Sequence, residues 1–163
     1  MFIIATRINA AGRMKHGNHA VTLLCETDIN LAAKYAIDID TYNTDRRDAD
    51  KRITIEALTQ IEKNIEQDRF TSVVYNENWH KGVIGIVASR LIETYYRPTL
   101  VFTKSGEMLA ASARSVKGFD VYNALEKCSE HIEQFWGHKY AAGLTLKPEN
   151  YKGFKAQFEK VVE

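Results

Sequence analysis

Fifty consecutive residues, Asn18 to Gln67, contain neither glycine nor proline. Glycine weakens a helix through its backbone freedom, and proline removes a donor and clashes with the preceding turn. A run this long without either predicts long helices. Asp28 is placed to cap a helix beginning at Ile29, and Leu31, Tyr35, Ile39 and Tyr42 then follow at spacings of four, four and three. The apolar stripe fades between Asn43 and Arg52, where Ala49 is the one apolar residue. It resumes at Ile53, Ala57, Leu58, Ile61 and Ile65. A helix polar all round in its middle bridges through solvent between two bodies. Continuous from Ile29 to Gln67, it would span about 60 Å at 1.5 Å per residue. The segment reads as a connector, and residues 1–17, too few for a domain, read as the end of one.

After Asp68 the texture changes to short alternating elements. The pattern predicts strands over 71–75, 99–103, 108–115 and 144–146, and helices over 83–96 and from Val121 to about Ile132. A last helix opens at Pro148 and runs through Val162. Pro98 forces Arg97 toward an extended backbone, and Asp120 caps the helix at Val121. Residues 136–143 read as a glycine-bearing loop. Strands and helices alternating at these lengths make a small α/β sandwich of about 95 residues.

Charge restricts the partners. With 22 Lys+Arg against 21 Asp+Glu the net charge is +1, so contact with nucleic acid has to come from a few placed cations. Cys25 and Cys128 form no CxxC pair and read as buried thiols of a reducing compartment. The opening apolar run is too short for a signal peptide, and no stretch approaches the roughly 20 apolar residues of a membrane span. The expectation is a soluble, cytoplasmic protein. Asp38 and Asp40, or Asp48 and Asp50, lie two apart on a helix and do not face each other, so they make poor metal pairs.

Three clusters could carry chemistry. Trp79-His-Lys-Gly-Val-Ile-Gly85 lies between a strand and a helix start, where unpaired N–H groups attract anions. Gly82 lets a ligand approach the backbone, and His80 and Lys81 add charge. The same residues would also make a plain strand-to-helix turn. In Ala110-Ala-Ser-Ala-Arg-Ser115, strand alternation puts Ser112 and Arg114 on one face. A hydroxyl beside a guanidinium suits a phosphate, while an edge strand with a surface arginine is the plainer alternative. In Gly137-His-Lys-Tyr-Ala-Ala-Gly143, small residues let the chain pack tightly and present backbone amides with His138. A packing histidine would look the same.

In this order the three clusters resemble the RecJ family of DHH phosphoesterases, exonucleases acting on single-stranded DNA. Arg7-Ile-Asn-Ala-Ala-Gly-Arg13 is similar to the motif that ends the family's catalytic domain. The resemblance covers nearly the whole chain. It implies an α/β fold: a long linker helix, then a small α/β sandwich with a mostly mixed sheet, the DHH-associated domain. The divisions are 1–17 for the end of a DHH catalytic domain, 18–68 for the helical linker and 69–163 for the substrate-binding domain. It also implies two Mn2+ (or Mg2+) ions in a DHH domain and none in this chain. The implied partners are that domain and single-stranded DNA, digested 5′ to 3′ and held through its 5′ phosphate. Carried over by position, Ser112 and Arg114 would bind a DNA phosphate. Gly137 and His138 would contact the strand near the scissile phosphate. Arg7, Arg13, His80 and Gly82 would assist.

Two departures stand out. Trp136 precedes Gly137-His138 where the family has another glycine, which would strain or plug the site or stack on a base. No Asp-His-His motif occurs, and neither the catalytic domain nor the family's oligonucleotide-binding domain is present, so the chain is expected to be inactive alone. Two other readings are a freestanding nucleic-acid or partner-binding module, and part of a related phosphodiesterase of oligoribonucleotides or cyclic dinucleotides.

Overall fold

The computed structural model describes residues 2–163, so Met1 of the expected 1–17 segment lies outside the described residues. The chain divides into two compact units, one up to Lys51 and one from Arg52 onward. The first holds α1 (Phe2–Met14), α2 (Asn18–Cys25) and the start of α3 (Ile29–Lys63). Its small core is Ala11, Ala20 and Ile39, with Ile8, Leu23 and Tyr42 packed against them. Asp28 caps α3 as its position predicts, its carboxylate accepting the N–H groups of Asn30 at 2.8 Å and Leu31 at 3.2 Å.

The middle of α3 differs from the expected solvated helix. Asn43 and Asp50 are buried, 9% and 2% exposed. They fall on one line with the buried Ile39, Ile53, Ala57 and Ile61, at successive spacings of four, seven, three, four and four. The stripe is therefore continuous, with polar residues occupying its centre.

α3 also stops at Lys63 rather than Gln67. Glu66 N–H donates to the Ile61 carbonyl and Ile65 N–H to the Glu62 carbonyl, the pair of bonds that closes a helix when the residue past its end turns left-handed. That residue is Ile65, at φ 55°. Glycine normally marks such a stop, and the sequence offered none.

The second unit is a five-stranded mixed sheet with helices on both faces. Its strands are β1 (Ser72–Tyr75), β2 (Thr99–Ser105), β3 (Met108–Arg114), β4 (Gln134–His138) and β5 (Ala141–Leu146), in the order β1-β2-β3-β5-β4. β1 and β2 are parallel and every other pair is antiparallel. On one face Val73, Leu100, Phe102, Leu109, Leu144 and Leu146 form the main core with Leu125 of α5 (Val121–Glu126) and Phe154 and Phe158 of α6 (Tyr151–Val162). On the other face α4 (Ile84–Thr94) packs over β2 and β3, burying Ile84, Val87, Ala88 and Leu91.

Asp120 caps α5, accepting the Asn123 N–H at 3.0 Å. The helix expected to reach Ile132 ends at Glu126, because the chain tightens into a 3₁₀ turn at Ser129–His131 and swings into β4. Arg97 turns inward before β2. Its guanidinium donates to Ser72 Oγ at 2.8 Å and to the carbonyls of Glu66, Gln67 and Arg69, tying the link after α3 to the sheet. No helix among the described residues is long and apolar enough to cross a membrane.

Two tests follow from these contacts. Ile65 is 85% exposed, so Ile65→Gly loses little packing and relieves a left-handed β-branched residue. It should stabilise the fold by roughly 1 kcal/mol, a rise in melting temperature of about 2–4 °C in calorimetry.

The Cys128 thiol is fully buried, and burial, with the Glu130 carboxylate nearby, pushes its pKa up to about 11. The unfolded thiol ionises lower, at about 8.5. The folded thiol's stabilisation is therefore complete below that value and is lost as pH rises through about 11. Denaturant titrations should show stability falling over that window. At about pH 8 an alkylating reagent should modify the exposed Cys25 and reach Cys128 only in denaturant.

Candidate functional site

β3 lies between β2 and β5, and its alternation divides its side chains between the two faces. Leu109, Ala111 and Ala113 join the core. Ser112 and Arg114 point to the α4 side, half-buried. Across the sheet Ser112 stands opposite Gly143, and Gly143 opposite Trp136. In the next row Arg114 stands opposite Ala141, and Ala141 opposite His138.

The start of α4 comes down on this face at Gly85. A Cβ built there would lie 2.8 Å from Arg114 Nη2 and 2.9 Å from Ser112 Oγ, so only glycine leaves both groups their present positions. Arg114 Nη1 donates to the Ala113 carbonyl at 2.8 Å, which fixes the guanidinium along the strand. Lys81 Nζ donates to Ser105 Oγ at 3.1 Å. A groove of about 270 Å³ opens here, lined by Lys81, Ile84, Ser112, Arg114, Trp136 and Gly143 among others. Two cations, a hydroxyl and small apolar walls make it a receptor for an anion attached to a flat or apolar body.

The other sequence candidates fall in several places. Gly137 also lines the groove. Its φ is 138°, and a Cβ there would collide with the Ala141 carbonyl oxygen and lie 2.6 Å from Ala142 Cα. His138 sits on the exposed edge strand, with Nδ1 accepting the Tyr140 N–H at 3.2 Å. The expected loop 136–143 is thus a tight β-hairpin, whose residues 139–140 make the turn. His80 and Gly82 shape the turn before α4, the His80 Nδ1 accepting the Gly82 N–H at 3.1 Å, and neither lines the groove. Arg7 and Arg13 belong to α1 in the first unit, and Arg7 Nε pairs with Asp40 at 2.7 Å.

Trp136 keeps a negative φ, since Ile65 is the one non-glycine residue among the described residues with φ above zero. Its replacement of a glycine therefore stores no backbone strain. Lys81, expected from the sequence to add charge, lines the groove, while Gly143, which also lines it, and Gly85, which packs on Ser112 and Arg114, were not singled out by reading the sequence. The signal for Gly85 was available, because a glycine inside a helix generally has a packing reason. Among the described residues no group of three His, Cys, Asp or Glu side chains could hold a metal ion.

Known proteins share this chain's sequence and fold. Residues 67–163 match the DHHA1 domain family. Over 99% of its length the chain is 35% identical to the single-stranded-DNA-specific exonuclease RecJ of Bacillus subtilis (strain 168), of which it covers 21%. It is 36% identical to RecJ of Escherichia coli (strain K12), again over 99% of its length and covering 29% of that protein. The crystal structure of RecJ from Thermus thermophilus in complex with Mn2+ superposes with a TM-score of 0.87 at 28% identity, over 98% of this chain and 23% of that one. The chain therefore spans less than a third of the length of these curated relatives.

The hairpin offers a test that needs no ligand. Gly137→Ala would combine a positive φ with a backbone collision, at a cost of roughly 1–3 kcal/mol. The melting temperature should fall, and amide exchange should accelerate first in residues 134–146 while α4 stays protected.

Proposed function

Because this chain belongs to the DHHA1 domain family, we propose that it is the substrate-binding portion of a RecJ-like exonuclease, positioning the phosphates of single-stranded DNA. Hydrolysis of the phosphodiester is then the work of a DHH catalytic domain, whose two Mn2+ (or Mg2+) ions supply the activated water. Among the described residues no donor set fits those ions, and in this reading the chain's own residues act by binding and orienting the strand.

One observation carries the reading: Ser112 and Arg114 share a sheet face directly beneath the bare Cα of Gly85. The guanidinium can give a phosphate two parallel N–H bonds, and the hydroxyl a third. Lys81, hydrogen-bonded to Ser105 and lining the groove, adds a second positive charge. The proposed ligand is the 5′-terminal phosphate of the strand, because a terminal phosphate carries more negative charge than an internal one. His138, in the same cross-strand row as Arg114 with Ala141 between them, would follow the next part of the backbone.

Two substitutions test the reading from opposite sides. Arg114→Ala removes charge-assisted bonds worth roughly 1.5–3 kcal/mol, so affinity for a 5′-phosphorylated strand should fall by about 10- to 100-fold. Affinity for the same strand with a 5′ hydroxyl should change less. Gly85→Ala removes no ligand group and favours the helix by up to about 1 kcal/mol, yet displaces both Ser112 and Arg114. It should melt no lower than the parent and still bind the phosphorylated strand more weakly. Fluorescence anisotropy with labelled oligonucleotides checks both, and unchanged binding in both variants would sink the reading.

A further inference from the structure

The chain's two tryptophans occupy opposite environments. Trp79 is 3% exposed, and its indole N–H donates to Glu56 Oε2 at 2.7 Å. Trp136 is 55% exposed, on an edge strand where a large apolar side chain gains little from folding. It stands in the same cross-strand row as Ser112, with Gly143 between them. Two strand spacings, about 10 Å, separate the two backbones. The indole leans over the gap: a Cβ at Gly143 would lie 2.7 Å from its Cε2 and Cζ2 atoms. One side of the ring is thus seated on the bare backbone of β5, and the rest of it borders the groove. Lys81 lines the same groove, and the exposed His138, Lys139 and Tyr140 continue along the hairpin, with Lys139 Nζ 5.7 Å from the Tyr140 ring centre.

A rigid aromatic surface bordered by cations and one nucleotide's reach from a phosphate clamp has the form of a single-strand stacking platform. We propose that Trp136 stacks on the nucleobase attached to the phosphate held by Ser112 and Arg114. It then fixes the end of the strand through its base as well as through its charge. This rests on the reading of the groove as a phosphate site. Stacking accepts any base, so Trp136 adds affinity without sequence preference, and it favours a strand end whose base is unpaired.

The test uses the full chain with Trp136→Ala, Trp136→Phe and Arg114→Ala variants. Each is titrated with two labelled strands carrying the same 5′ phosphate, one with normal bases and one abasic over its first nucleotides. Anisotropy reports binding, and tryptophan emission reports Trp136, because Trp79 is buried and fixed. The base-bearing strand should quench emission of the parent chain, and the abasic strand should not. Trp136→Ala should weaken the base-bearing strand roughly 5- to 150-fold and leave the abasic one unchanged, with Trp136→Phe recovering most of the loss.

If Trp136→Ala binds the base-bearing strand as tightly as the parent or more tightly, while Arg114→Ala still weakens both strands, Trp136 is only a cover on the groove. The stacking role then falls and the phosphate reading stands. If the parent chain binds neither strand, the phosphate reading falls and the stacking role falls with it.

Discussion

β3 is hydrogen-bonded along both edges, to β2 on one side and β5 on the other, and this double pairing fixes where each of its side chains points. A slip of one residue would carry Ser112 and Arg114 into the core among Phe102, Leu144 and Phe154, and expose Ala111 and Ala113 in their place. Burying an unpaired guanidinium among those rings is far costlier than any gain at the groove could offset. The apolar core therefore does more than hold the sheet together, because it sets the register that presents two polar groups side by side on the opposite face. The function of the groove depends on packing energy spent on the far side of the sheet.

The groove itself exists through missing side chains. Gly85 lets α4 come down on β3 without pushing Ser112 or Arg114 aside, and Gly143 leaves a bare stretch of β5 on which the Trp136 ring is seated. Gly137 allows β4 to turn against Ala141 and Ala142 at an approach no side chain permits. Each glycine works at a close contact between two different elements. The helix that caps the sheet and the hairpin that closes its edge can thus meet at one small cavity, with neither covering it.

Much of this was legible in the chain. The absence of glycine and proline over 50 residues announced α2 and α3, and Asp28 and Asp120 cap the helices their positions indicate. Alternation alone placed Ser112 and Arg114 on one face. Three features were hidden because nothing local encodes them. α3 ends in a left-handed isoleucine, a conformation that side chain disfavours, held by the bonds of Ile65 and Glu66 back into the last turn. β4 lacks the apolar alternation of a buried strand because it is an exposed edge. It is recognisable as a strand only through its pairing with β5. Gly85 meets Arg114 and Ser112 across 27 to 29 residues of sequence, a contact that only the fold creates.

The near-neutral charge then explains why the groove is so ordered. With a net charge of +1 the chain exerts little long-range pull on a polyanion, and a handful of cations releases few counterions on binding. Affinity has to be gained at contact distance, so what counts is how little is lost in arranging the contacts. Arg114 is already held along its strand by the Ala113 carbonyl, Lys81 is anchored on Ser105, and the Trp136 ring rests on the backbone of Gly143. A phosphate and its base entering the groove would meet groups that need little reordering, which conserves binding free energy that flexible side chains would lose to entropy. A site built this way suits an end-binding role, where one phosphate and one base must be held in a fixed place, better than one that gathers long strands by charge.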